Sequence, residues 1–374
     1  MTPPSIKIAI AARGLSFDPS GPTEFIHGFT GALLEAQRGH KYTIYYNSPE
    51  LIGQFPAADE RSLPLRNRFI WDHLLLPLAL RRDGVDVAIF PKGTMPLWGA
   101  RQAVVVMHDL GYFYPDLQAY RPLESAYLKN GMRRVARRAW GIFAVSEFTR
   151  RDVIRILDAD PEKVHTIYEA PAGQYAPVRD EDALSRARAR YRLPEPFIFY
   201  PTSISPRKNI QRLLEALDSV RDRIPHHLVL TGGQAWNSRE LENALGRYAQ
   251  GRVHRLGVVA PQDMPALYSL ADFTVYISIF EGFGLPVLEA MRCGSPVMVS
   301  AQASLQEVAG GAAFVVDGYD VGEMAEGLVS LAADNALRAD LRQKGFARAP
   351  AFSWARTAEL ALDWIETRWG ELNS

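Results

Sequence analysis

The chain has 374 residues, 47% of them hydrophobic and 22% charged, with Lys+Arg and Asp+Glu both at 42 and a formal net charge of zero. That length favours two domains over one core, and the charge balance lacks the basic surplus a nucleic-acid binder needs. The single Cys293 excludes an intramolecular disulfide and any multi-cysteine metal site, which fits a reducing cytosol.

In chain order, the opening "MTPPSIKIAIAARG" has no basic start or long apolar middle of a signal peptide, and its apolar stretch reads as a first buried strand. Apolar runs such as "LLLPLAL" are too short to cross a bilayer and are broken by proline or charge. A cytoplasmic protein is expected, touching membrane at most with its surface. Short β-branched runs then alternate with helix-length amphipathic segments: "IKIAIAA", "KYTIYYN", "DVAIF", "QAVVVMH", "GIFAVS" and "VHTIY", followed by "PFIFYP", "HHLVLT", "DFTVYIS", "SPVMVS" and "AAFVV". Runs apolar on both faces predict parallel sheets covered by helices, with ligands at the carboxyl ends of the strands. The charged helix "DEDALSRARARY" and the prolines after it place a boundary near residue 192. The expected organisation is α/β, two doubly wound Rossmann-like domains facing across a cleft: 1–192, 193–356, and a final helix over 357–374.

"VVVMHDLGYFYPD" puts His108 and Asp109 at the end of a strand. His108 can hydrogen-bond a sugar hydroxyl or the transferring centre, or serve structure alone; Asp109 can cap a turn. "PTSISPRKNIQRLLEAL" carries Arg207 and Lys208 from a polar turn into an amphipathic helix, where two cations can neutralise a diphosphate. The alternative is a solvated first turn, a poor place for cations. In "VLTGGQAW", Gly232 and Gly233 permit close approach of a base or phosphate, although glycine pairs are common in turns.

"EGFGLPVLEAMRCGSPVMVS", residues 281–300, predicts a turn, a helix opened by Pro286 and closed by Gly294, and a strand. Gly282, Phe283 and Gly284 then lie at a helix N-terminus, which favours phosphate. Glu281 can accept bonds from ligand hydroxyls, and Glu289 from a diol such as ribose. Both acids can instead merely complement the helix dipole, each worth roughly 0.3–1 kcal/mol.

Together these segments resemble family 4 of the retaining glycosyltransferases, of GT-B fold. The E-x-seven-E pattern is Glu281 to Glu289, and "SPRKN" at 205–209 matches the phosphate loop. "RFIWDHLLLPLAL", "VVMHDLGYFYPD" and "FAVSEFTRRDVIRIL" are similar to acceptor-domain segments, and "FSWARTAELALDW" to the closing segment. The resemblance runs nearly end to end. It implies Glu281 on donor-sugar hydroxyls, Glu289 on ribose, and Arg207 and Lys208 on the diphosphate. His108 would lie near the donor sugar, the backbone of Phe283 and Gly284 at phosphate, and the "LSFDPSGPTEF" turn with Gly21 near donor or acceptor. It further implies a retained anomeric configuration, no bound metal and no cofactor beyond the donor. Three departures stand out: Ile277 where many relatives have proline, Thr202 where some are basic, and "GPTEFIHG" without the usual glycine spacing.

The motif set is most like bacterial mannosyltransferases that use GDP-mannose to build O-antigen, capsule or exopolysaccharide, with a glycan or lipid-linked saccharide as acceptor. UDP- or TDP-sugar donors for glucosyl or rhamnosyl transfer, a nucleotide-sugar epimerase, and a non-catalytic sensor or assembly subunit are the competing readings. Residues 129–155, with Arg133, Arg134, Arg137 and Arg138, form either a surface for anionic lipid or a solvated helix face.

Overall fold

In a computed structural model the described residues are 5–13, 15, 21–117, 122–233, 239–248 and 251–374. They divide into two units. The first takes the described residues of Met1–Phe113, Pro122–Ala170 and Phe352–Ser374, and the second those of Tyr114–Arg121 and Pro171–Ala351.

The first unit holds strands β1 (Lys7–Ala11), β2 (Lys41–Tyr46), β3 (Asp59–Ser62), β4 (Val87–Phe90), β5 (Gln102–Met107), β6 (Gly141–Ala144) and β7 (Val164–Thr166), in the order β3-β2-β1-β4-β5-β6-β7. All neighbours are parallel. The second holds β8 (Phe197–Pro201), β9 (His227–Thr231), β10 (Val253–Arg255), β11 (Phe273–Tyr276), β12 (Val297–Ser300) and β13 (Phe314–Val316), in the order β10-β9-β8-β11-β12-β13, again all parallel. Every residue of β4, β6, β8, β11 and β12 is buried, which explains their unbroken apolar runs. Each sheet starts in its middle and reverses direction once, between β1 and β4 and between β8 and β11. Loops leaving two such strands diverge and open a crevice at the carboxyl edge.

Two strands escape the sequence pattern. β3, "DERS", and β10, "VHR", are short polar edges, each paired on one side only. An edge strand needs no apolar run, and charge there discourages further pairing.

The helix Glu181–Tyr191 packs with the second unit, so the division falls at 170/171 and not at 192/193. Tyr191 donates to Asp263 at 2.6 Å, Arg190 pairs with the same carboxylate at 3.0 Å, and Val178 N–H donates to Ser269 Oγ at 3.0 Å. The prolines at 194 and 196 mark the start of β8, not a seam. The last helix, Trp354–Asn373, lies in the first unit. Its Trp354 meets Phe25 edge-on at 5.4 Å, and Trp364 packs on Trp140 and Phe143. Gly28 and Gly141 leave room for those indoles: a Cβ at either would collide with one.

Candidate active site

The second unit's crevice is formed by the loops after β8 and β11. After β8, Pro206–Lys208 form one 3₁₀ turn, and Asn209 follows in the left-handed region at φ 58°. Asparagine tolerates that conformation, and its amide donates to the carbonyls of Ile277 at 3.2 Å and Gly318 at 2.6 Å. The helix begins only at Ile210, so Arg207 and Lys208 precede it rather than occupying its first turn. That placement keeps both cations off the positive end of the helix. The Ile279 N–H donates to the Arg207 carbonyl at 2.9 Å, tying this loop to the one after β11.

The three charged side chains form one cluster. Glu281 Oε2 lies 2.8 Å from Arg207, and Oε1 lies 2.5 Å from Lys208 Nζ. The same ammonium donates to Tyr276 OH at 2.6 Å, and Arg207 also donates to the Phe280 carbonyl at 3.0 Å. Burial pushes the Glu281 carboxyl up, but Arg207 and Lys208 outweigh it and hold the group down at about 2. Two cations against one carboxylate leave one net positive charge at the carboxyl end of the sheet. Sequence reasoning gave Glu281 to the sugar and the cations to the phosphates; here they are mutual partners.

Gly284 caps the helix Leu285–Arg292 at φ 109°, no side chain caps it, and Pro286 sits in its first turn. A Cβ on Gly284 would lie 2.6 Å from Leu305 Cδ2, so glycine is needed for both conformation and space. Gly294 follows the helix at φ 78°. Ser304 Oγ reaches the carbonyls of Glu281 at 3.0 Å and Phe283 at 2.7 Å and fixes the turn through Gly282. The first turn of this helix thus presents N–H groups beside the cationic cluster. Glu289 is buried inside the helix, and its Oε2 accepts from Tyr268 OH at 2.7 Å. The expected diol-binding carboxylate is therefore already engaged by the protein, and a ribose there would share it with Tyr268. Gly232, at φ 95°, has a reason internal to the protein: a Cβ there would collide with the Thr202 carbonyl. Gly233 is exposed, and its carbonyl accepts from the Ile204 N–H at 3.1 Å.

In the first unit His108 follows β5. Its Nδ1 faces Glu169 Oε1 at 2.8 Å, its Nε2 faces the Pro91 carbonyl at 2.9 Å, and Phe25 stands edge-on at 4.9 Å. Burial lowers the imidazole pKa, but the bond and charge of Glu169, with the Pro91 carbonyl, raise it overall. Both ring nitrogens face acceptors, an arrangement that suits the imidazolium. A sugar hydroxyl at His108 would have to compete with Glu169 or Pro91. Asp109 does cap a turn, accepting from the Gly111 N–H at 2.8 Å. Gly21 opens the helix Gly21–Glu35, and a Cβ there would meet nothing within 4 Å among the described residues; residues 16–20 of the preceding turn lie outside them.

Sequence reasoning did not single out Glu169, Tyr268, Tyr276 or Ser304. Tyr276 stands on β11, Tyr268 on the helix Met264–Leu270, and Glu169 and Ser304 in loops, and only the strand order brings them to the site. Among the described residues no group of three or more His, Cys, Asp or Glu could hold a metal ion, and no helix is long and apolar enough to cross a membrane. Asn130, Arg133, Arg134, Arg137 and Arg138 line one groove, and Lys129 and Arg133 also lie over the Phe113 ring.

Two parallel sheets of the same winding, one with a cationic loop and a glycine-capped helix at its carboxyl edge, define a GT-B type glycosyltransferase architecture. Comparison with known proteins agrees. The family model "Glycosyltransferase Family 4" matches residues 22–170, and "Glycosyl transferases group 1" matches 183–348. The O-antigen chain mannosyltransferase B of Escherichia coli is 33% identical over 258 residues, 68% of this chain and 67% of that one. The serotype-specific mannosyltransferase WbdA of Escherichia coli is 31% identical over 290 residues, 75% of this chain but only 35% of its own length. Among solved structures, sucrose-phosphate synthase of Thermosynechococcus elongatus superposes with a TM-score of 0.78 at 21% identity, over 98% of this chain and 100% of that one. The chain belongs to family 4 of the glycosyltransferases, as a mannosyltransferase-like member with the GT-B fold.

Proposed function

We propose that the protein transfers mannose from GDP-mannose, with retention, to a saccharide or lipid-linked saccharide acceptor in bacterial polysaccharide synthesis. The observation that carries the reading is the Arg207–Lys208–Glu281 cluster at the β8/β11 crevice, with Lys208 and Glu281 buried and Arg207 partly exposed, beside the glycine-capped helix. The similarity to mannosyltransferases of O-antigen synthesis points to mannose and to that pathway.

In this reading the donor diphosphate sits on Arg207, Lys208 and the N–H groups around Phe283 and Gly284. The bond from the sugar C1 to phosphate oxygen breaks, and a bond from C1 to the acceptor oxygen forms. The acceptor's proton passes to the departing phosphate oxygen. Charge grows on that oxygen as the bond breaks, so fixed cations stabilise the transition state more than the ground state. The same cations take the role that a metal has elsewhere, and no bound metal or further cofactor is invoked. Glu281, held ionised, keeps both cations in place and accepts from sugar hydroxyls; Glu289 accepts from ribose. The arginine-lined groove over Arg133–Arg138 would meet anionic lipid from the cytoplasmic side.

Thermal shifts with GDP, UDP, TDP and ADP test the donor. A nucleotide at about a hundred times its dissociation constant adds roughly 2.7 kcal/mol. A selective GDP shift upholds the reading, and a selective UDP or TDP shift replaces the sugar. Binding without turnover by any donor–acceptor pair would make the protein a nucleotide-sugar sensor. Retention is read from the anomeric coupling of the product, where an inverted configuration would overturn it.

A further inference from the structure

The crevice of the first sheet has a chemistry that the transfer step does not use. Arg13 lies two residues beyond β1, Lys92 two beyond β4, and Arg68 opens the short helix Arg68–Ile70. Asp72 links the arginines, with Oδ1 2.8 Å from Arg13 Nε and Oδ2 3.4 Å from Arg68 Nε. Both pairings use Nε, and among the described residues no acceptor is bonded to the terminal NH groups of either guanidinium. Aromatic faces hold the two arginines in place: Trp71 at 5.9 Å from Arg13, and Tyr127 at 5.2 Å from Arg68. Burial lowers the Lys92 pKa, the charges of Arg13 and Arg68 lower it further, and Asp72 offsets them only in part. Such crowding of like charge is relieved by an anion.

These groups open on a cavity of about 280 Å³ lined by Arg13, Arg68, Lys92, His108, Asp109 and Tyr112. Three cations face the carboxylates of Asp72 and Asp109, and one Asp109 oxygen is held by the Gly111 N–H. Protonated His108 is balanced by the Glu169 carboxylate at 2.8 Å and leaves this excess of positive charge unchanged. Guanidinium forks and an ammonium converging on one cavity match the several oxygens and double charge of a phosphate better than a single carboxylate.

We infer that this cavity is a phosphate pocket, in which Arg13, Arg68 and Lys92 hold the phosphate-bearing end of the acceptor saccharide. The inference rests on the transferase reading above. The phosphate has two possible sources, a monoester on a soluble sugar or the diphosphate that joins a saccharide to a lipid.

The test uses the full chain with saturating GDP, so that the second unit's diphosphate site is filled. Mannose 1-phosphate, a short-chain alkyl diphosphate ester of mannose and neutral methyl mannoside are titrated calorimetrically. Wild type should bind the phosphorylated sugars at least about tenfold more tightly than the neutral one, a difference of roughly 1.4 kcal/mol. Arg68→Gln and Lys92→Met should each remove most of that preference while leaving the thermal shift with GDP unchanged, which shows that the variants fold. Tighter binding of the diphosphate ester assigns a lipid-linked acceptor, and tighter binding of the monoester a sugar phosphate. Equal binding of charged and neutral sugars by wild type, or a preference intact in both variants, would overturn the pocket. Failure of the donor reading would show separately, as a missing GDP shift in wild type.

Discussion

The carboxyl edges of the two sheets reverse at equivalent places, after β1 and β4 in one and after β8 and β11 in the other, yet their loops treat positive charge differently. At β8/β11 the cations are clamped from within. Lys208 is 5% exposed and Glu281 9%, and each is satisfied by the other, by Arg207 or by Tyr276. At β1/β4 the arginines share one aspartate end-on, lean on aromatic rings and face an open cavity. The first arrangement holds its geometry without ligand, which suits a group whose charge changes during reaction. The second keeps hydrogen-bond donors available, which suits a group that is merely held.

The comparison is broken most directly at Glu281. Glu281→Gln leaves a buried ammonium and a partly exposed guanidinium without their counter-charge, and urea unfolding at pH 7 should show a loss of about 3–5 kcal/mol. Turnover should fall on the order of 10²–10³-fold, as for other losses of fixed transition-state electrostatics. The double variant Glu281→Gln/Lys208→Met should recover much of the stability and none of the activity. Recovery of both would make the cluster structural only. Asp72→Asn should cost less, about 1–3 kcal/mol, because the amide oxygen can still accept from Arg13 and the 3.4 Å contact to the more exposed Arg68 is weak.

Next in size is Gly232→Ala, which combines an unfavourable backbone conformation with a collision against the Thr202 carbonyl; a loss of about 2–4 kcal/mol is expected in thermal melts. A variant as stable as wild type would show that the loop after β9 yields easily. His108 comes third. Its folded pKa is raised, so its pairing with Glu169 contributes fully below the unfolded value of about 6.5 and fades as pH rises through the higher folded value. His108→Gln should therefore cost more stability at pH 6 than at pH 9. Glu281 runs the other way: its contribution is present above the ordinary 4.5 and is lost only as pH falls toward about 2. The smallest effect is expected for Ser304→Ala, about 0.5–1.5 kcal/mol from the lost bond to the Glu281–Phe283 turn, with a modest rise in KM for the donor.

What the sequence made legible follows from how each feature is encoded. Buried parallel strands announce themselves by apolar runs, and the helix Leu285–Arg292 by Pro286 and Gly294, because these are local requirements. β3 and β10 were silent because an edge strand has no second neighbour to demand apolar residues. The site residues Glu281, Arg207 and Lys208 stood out through motif and spacing, but their mutual pairing joins positions 73 apart and depends on β8 lying beside β11. Glu169 on His108, 61 residues away, is of the same kind. Arg68 opens the segment "RFIWDHLLLPLAL", but nothing local joins it to Arg13 or Lys92, and the reversal between β1 and β4 gathers the three.

The last helix carries a consequence for how the chain can be cut. Because Trp354–Asn373 belongs with the first unit, residues 171–351 amount to an insertion within that unit's sequence. Deletion of the segment after Phe352 would uncover Gly28 and Gly141 and unpair Arg38 and His40 from Glu366, wounding the unit built mostly from the other end of the sequence. Excision of the first 170 residues would likewise strand this helix without its floor. A split protein should therefore be divided on both sides of the insertion, with the last helix supplied in the same piece, or in the same tube, as the strands it covers.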